Sequence, residues 1–119
     1  MLFRSRYVPA RGDLVRLEFT PQAGHEQAGT RPALVLSPRE YNRRVGLALL
    51  CPVTSAVKGY PFEVVLPPGI GFQGAVLADQ VKSLDWRVRR ARYAGEAPAE
   101  TMQEVVARIL VLVDPEEAR

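Results

Sequence analysis

The chain is poor in the side chains that enzymes and metal sites use most. It has one cysteine, Cys51, and one histidine, His25, among 119 residues. A single thiol excludes an intrachain disulfide and points to a reducing compartment. One Cys and one His cannot assemble the ligand sets that hold zinc, so no metal and no cofactor is expected. Cys51 is flanked by Leu49, Leu50, Pro52 and Val53 and reads as a buried thiol. Long apolar runs are missing too. The longest, Leu47 to Val53, is far short of the roughly 20 residues that cross a bilayer. Met1 to Arg11 carries three arginines and no apolar stretch, so no signal peptide is expected and the working place is the cytoplasm, away from membranes. Repeats and low-complexity segments are also absent.

What is present is the composition of an ordinary globular domain. Hydrophobic residues make up 47% and charged residues 24%, which excludes a disordered chain. The length suits one domain spanning residues 1–119. Sixteen basic residues against 13 acidic ones leave a net charge of +3, a mild tilt towards an anionic partner.

Hydrophobic periodicity is mostly two. From Asp13 to Phe19, Val15, Leu17 and Phe19 share one face, with Arg16 and Glu18 on the other, as in a half-buried strand. Arg31 to Leu36, Leu47 to Val53, Tyr60 to Leu66, Ala75 to Ser83 and Trp86 to Tyr93 are further strand candidates. Ser37-Pro38-Arg39-Glu40 predicts a short helix with Ser37 as cap and Glu40 closing a capping box, and Gly46 ends it. After Pro98 the period changes. Met102, Val105, Val106, Ile109, Leu110 and Val113 fall at helical spacing and predict an amphipathic C-terminal helix whose apolar face joins the core or a subunit interface. Short strands with few helices predict a mainly β, α+β fold built on a small barrel-like sheet.

Chemistry concentrates in a loop. His25-Glu26-Gln27-Ala28-Gly29-Thr30-Arg31-Pro32 gathers an imidazole, a carboxylate, an amide and a guanidinium between two strands. Metal-free RNA cleavage needs a base for the 2′-hydroxyl, an acid for the leaving oxygen, and positive charge on the phosphate. The planar fork of Arg31 suits the last task. By composition alone the same loop also fits a solvated turn with an ion pair.

A second line comes from motif order. Glu26-Gln27-Ala28-Gly29-Thr30-Arg31-Pro32 resembles the E-Q-x-G-x-R-P signature of the MazF/PemK toxins. Arg6-Tyr7-Val8-Pro9 with Gly12-Asp13-Leu14 resembles the opening strand of that family. Leu36-Ser37-Pro38, Tyr41-Asn42, Pro52-Val53-Thr54-Ser55, Lys58 to Val64 and Leu77 to Ser83 match later family motifs in order. The resemblance implies an SH3-like β-barrel with short added helices, and a symmetric homodimer with an RNA groove. It also implies metal-independent cutting of single-stranded RNA at a short motif, leaving a 2′,3′-cyclic phosphate and a 5′-hydroxyl. A MazE-type antitoxin would fill the groove.

Residue by residue, the resemblance gives Arg31 the phosphate and possible acid role, and Thr54 a contact to the scissile phosphate. A turn role for Thr54 stays open. Glu26 matches the carboxylate base of the MazF branch, with bracing of Arg31 as its alternative. His25 matches a catalytic histidine of the PemK/Kid branch, so the choice of base between the two is open. Leu77 stands where that branch has an arginine two residues before its aspartate, here Asp79, which shifts the burden to Arg31. Lys58, Tyr60, Pro61, Phe62, Gln80, Lys82, Ser83 and Trp86 match segments that line the family's RNA groove. Trp86 suits either base stacking or burial. The stretch Trp86 to Arg92 suits either an RNA track or charge on an edge strand. Two other classes remain: a gyrase poison of the related CcdB type, which needs a Trp-Gly-Ile terminus that Asp114 to Arg119 does not provide, and a non-cleaving RNA-binding module.

Overall fold

Val, Leu and Ala alternate through the first half of the chain, and the strands they form are covered on both faces. The computed structural model describes residues 7–19 and 29–118. The element order is β1 (Asp13–Leu17), β2 (Arg31–Val35), α1 (Arg39–Val45), β3 (Leu47–Thr54), β4 (Glu63–Val65) and β5 (Ala75–Leu77). A single 3₁₀ turn (Ala78–Gln80) leads to β6 (Lys82–Asp85), β7 (Arg92–Glu96), α2 (Ala99–Val113) and α3 (Pro115–Ala118). All strand pairs are antiparallel. The path runs β4-β5-β3-β2-β1-β7, with β6 also on β3, so the mainly β fold is a curled sheet that is open at β4 and β7.

Two cores follow from period two. Leu14, Leu34, Cys51, Val53 and Val76 point to one side and pack under Met102 and Val105 of α2. Val15, Leu17, Ala33, Val35, Ala48 and Leu50 point to the other and pack around Trp86. Leu14 is therefore as buried as Val15, although only Val15 belongs to the apolar face predicted for β1. Burying one such leucine contributes about 2 kcal/mol.

Three predicted strands change shape. Trp86 to Tyr93 is not one strand: the Asp85 carboxylate accepts the backbone N–H groups of Arg87 and Val88, each at 3.0 Å, and bends the chain before β7 starts at Arg92. Ala75 to Ser83 is two strands split by the 3₁₀ turn. Tyr60 to Leu66 keeps only Glu63–Val65 as strand. The buried Glu63 carboxylate gathers the N–H groups of Lys58, Gly59 and Tyr60 at 2.9–3.2 Å, which holds the preceding segment in a loop.

The predicted capping box also fails. Pro38 is the N-cap and no side chain caps α1. The Ser37 hydroxyl instead donates to Asn42 Oδ1 at 2.5 Å and accepts from Leu49 N–H at 2.8 Å. The side chain of fully buried Asn42 donates to Pro9 O at 2.8 Å and Ser37 O at 3.1 Å, and its backbone carbonyl accepts the Trp86 indole N–H at 2.9 Å. Glu40 pairs with Arg43 and Arg44. Gly46 ends the helix at φ 82, a left-handed conformation that favours glycine. The C-terminal helix has the predicted extent. Its first half supplies core residues, while Val111, Leu112 and Val113 are exposed. No helix of the described residues is long and apolar enough to cross a membrane.

Candidate active-site groove

Eight-residue β3 spans two neighbours on one side, β6 along its first half and β5 at Val53 and Thr54. Its end therefore meets the start of β2, the 3₁₀ turn and the loop before β5. A groove of about 630 Å³ opens there. Arg16, Phe19, Arg31 and Pro32 form one wall, Pro52 to Ser55 the floor, and Gly71 to Gln73 with Leu77, Gln80 and Lys82 the other wall.

Three cations, Arg16, Arg31 and Lys82, line this groove, and no acidic residue among the described residues does. Arg31 is the first residue of β2 and is exposed, and it forms no ion pair with a described residue. Arg16 reaches Thr30 O and Oγ1 only at 3.5 Å, too long for strong bonds. Thr54 ends β3 half-buried, and its Oγ1 accepts the Ala56 N–H at 3.1 Å, leaving the hydroxyl proton free to donate. Gly74 holds Thr54 in place. A Cβ there would stand 2.0 Å from Thr54 O, so only glycine lets β5 start so close to β3.

Of the residues predicted for the site, Arg31, Thr54, Gln80 and Lys82 come together here. Glu26 and His25 lie outside the described residues. Ser83 is exposed on β6, opposite Leu49, and does not line the groove. Lys58, Tyr60 and Pro61, all exposed, and half-buried Phe62 form a separate loop. Arg108 Nε donates to Pro61 O at 3.1 Å, and the Tyr60 hydroxyl donates to Asp79 Oδ2 at 2.7 Å. That bond, together with the carboxylate's charge, raises the Tyr60 pKa above its usual value.

Trp86 needs a correction. It is 6% exposed, sits in the second core and spends its N–H on Asn42, so its ring is not a surface for stacking bases. Burial is the reading that the fold selects. Cys51 is fully buried, and its thiol pKa is pushed up to about 12, first by burial and then by the negative charge of Asp79. It stays protonated and inert near neutral pH.

Sequence reasoning missed Arg16, Phe19, Phe72 and Gln73 as groove residues. For Arg16 a signal existed: it lies on the polar face of β1, and the antiparallel register sets it opposite Pro32, next to Arg31. Phe72 gave none, since its place depends on how the loop before β5 folds over the sheet.

Comparison with known proteins gives the family. Residues 10–113 match the family model described as PemK-like, MazF-like toxin of type II toxin-antitoxin system. The chain is 52% identical over 109 residues to a protein of Escherichia coli (strain K12) named endoribonuclease toxin MazF, covering 92% of this chain and 97% of that one. Among solved structures, MazF from Deinococcus radiodurans superposes with a TM-score of 0.82 at 60% identity, covering 90% of this chain and 97% of that one. A MazE-MazF complex from the same organism gives 0.83 at 57% identity, with 90% and 97% covered. The match spans the strands, the groove and all of α2, and the chain belongs to the PemK-like, MazF-like family of toxins of type II toxin–antitoxin systems.

Proposed function

We propose that the chain is an endoribonuclease, the toxin of a toxin–antitoxin pair, acting as one domain on single-stranded RNA in the cytoplasm. The observation that carries this reading is a groove that joins Arg31, Arg16 and Lys82 around the Thr54 hydroxyl without a described acidic residue. Such a surface attracts a phosphodiester and repels acidic groups. The names of the similar proteins, endoribonucleases among them, point the same way.

In the proposed reaction the 2′-oxygen attacks the adjacent phosphorus as its proton passes to a base, Glu26 or His25. The bond from phosphorus to the 5′-oxygen breaks, and that oxygen takes up a proton. Arg31 neutralises charge on the phosphate oxygens as it builds, with the Thr54 hydroxyl donating to one of them. The products are a 2′,3′-cyclic phosphate and a 5′-hydroxyl. Because the cations are side chains, no metal is required. Gln80 bonds base edges and Lys82 meets the backbone, which gives preference for a short motif. The working unit is a homodimer, and a MazE-like antitoxin with an acidic segment competes for the groove.

The test is incubation of purified protein with a long labelled RNA in excess EDTA, followed by sequencing of the released 5′ ends and analysis of the 3′ ends. Cutting at a recurrent motif with cyclic phosphate ends is expected. Activity that needs added magnesium, or that persists on RNA carrying a 2′-deoxy scissile nucleotide, would overturn the mechanism.

A further inference from the structure

Most arginines of the described residues are occupied. Arg43 and Arg44 pair with Glu40, and Arg108 with Glu104. Arg11, Arg39 and Arg89 donate to backbone carbonyls of Leu36, Val8, and Glu18 and Phe19 respectively, and Arg87 lies over the Trp86 ring. Two exposed arginines in a shared place have no such firm partner: the Arg92 side chain has no hydrogen bond to a described residue, and Arg16 has only the long 3.5 Å contacts to Thr30 O and Oγ1. The β1–β7 register sets Arg16 directly opposite Arg92, after a bulge between Leu14 and Val15. Like charges directly opposite on paired strands repel. Neither guanidinium has an ion pair with a described residue, and Glu18 and Glu96, the carboxylates close by along β1 and β7, do not serve them.

Arg16 is already a wall of the groove. Facing pairs on a sheet share a face, and neighbouring strands stand about 4.8 Å apart. Arg92 thus carries the positive surface one strand beyond the pocket, to the open edge of the sheet at β7. Phe72 lies beside this step, its ring edge 3.5 Å from where a Gly95 Cβ would be.

We propose that Arg16 and Arg92 form a second phosphate subsite, which holds an RNA backbone phosphate flanking the scissile one. A phosphate between the two guanidiniums converts their repulsion into two charge-assisted contacts. The assignment rests on RNA being the substrate. It gives Arg92 a ligand-binding role, where an arginine that only blunts a sheet edge would have none.

The experiment uses RNA made uncleavable by a 2′-deoxy scissile nucleotide, with one neutral methylphosphonate walked through the flanking positions. The full-length protein should lose affinity sharply at one flanking position. Arg16→Ala and Arg92→Ala should each weaken binding of the all-phosphate RNA, and each should abolish the sensitivity at that same position. In each variant the salt slope should become shallower by about 0.7, the share of one neutralised phosphate on a single strand. Arg90→Ala, an exposed arginine on the neighbouring turn, should leave the position's sensitivity intact. The melting temperature of Arg92→Ala should not fall, since a repulsion is removed. If every methylphosphonate costs the variants as much as the parent, the subsite is overturned, whether the arginines guard an edge or serve an acidic protein segment. That outcome differs from failure of the functional reading, in which the parent protein neither binds nor cuts RNA.

Discussion

The two ends of the sheet treat polar groups in opposite ways. Around α1 they are used up on one another: Asn42 serves Pro9, Ser37 and Trp86 while buried, and Glu40 takes Arg43 and Arg44 on the surface. Around the groove, Arg16, Arg31 and Lys82 face a shared space with no described carboxylate among its walls. The first arrangement fixes shape. The second leaves electrostatic free energy unused until an anion arrives. Substitutions at the two ends should therefore separate stability from activity, and the variants below try to break that separation.

Arg31→Ala should have the largest effect. Loss of one preorganised charge at a transition state costs about a hundred- to a thousandfold in rate. Because Arg31 is exposed, the melting temperature should hardly move. Arg31→Lys should recover part of the rate, since a point charge replaces a fork. Parallel kinetics and thermal melting decide the matter. A variant that melts lower and loses binding together with cleavage would make Arg31 a brace for its loop instead.

Gly74→Ala should erase the separation, because this glycine belongs to both tasks. The added Cβ would meet Thr54 O at 2.0 Å, and the backbone at φ +125 is itself strained for alanine. A cost of about 3 kcal/mol in stability is expected, at the upper end of backbone strain. Cleavage at a temperature where the variant is still folded should fall as well, since Thr54 must shift. A crystal structure of the variant with Thr54 unmoved would contradict this coupling. Asn42→Ala tests the other end. Leaving Ser37 and Pro9 polar groups unsatisfied in the interior should cost about 2 kcal/mol, yet the turnover of the folded fraction should equal that of the parent. Lower turnover at full folding would show that α1 communicates with the groove.

How much of this was legible in the sequence differs between the ends for physical reasons. The bounds of α2 could be read because a 3.6 period persists over fifteen residues. β1 and β2 were equally plain. The turn at Asp85 and the loop held by Glu63 were misread, because in each a single carboxylate overrides a β-rich pattern by collecting nearby N–H groups. Ser37 looked like a helix cap, but a partner thirty-three residues from Pro9, Asn42, draws it inward. For the groove, motif resemblance named Arg31, Thr54, Gln80 and Lys82, while their convergence depends on β3 pairing with β2 on one side and with β5 and β6 on the other. Arg16 and Arg92 could not be paired without the β1–β7 register, which joins residues 76 positions apart.

The smallest effect is expected at Cys51, which lies in the core behind the groove and belongs to neither end. Burial, and then the charge of Asp79, push its thiol pKa up to about 12, whereas an unfolded thiol titrates near 8.5. The raised folded value sets the sign. Its contribution to stability is fully present below about pH 8.5, and it is lost as pH rises towards the folded value, because the unfolded chain releases its proton first. Tyr7 is also raised, by burial and by donating to Asp13 at 2.6 Å, so it acts in the same direction but only above its ordinary value near 10. The interval from about pH 8.5 to 9.5 therefore isolates Cys51, with an expected loss of about 1 kcal/mol across it. Urea unfolding of the parent and of Cys51→Ala over that interval measures the difference in slope. The cavity left by the substitution lowers stability at every pH and does not affect that slope. The alanine variant should show the flatter pH dependence, and equal slopes would mean that the thiol is wetter than the packing around it indicates.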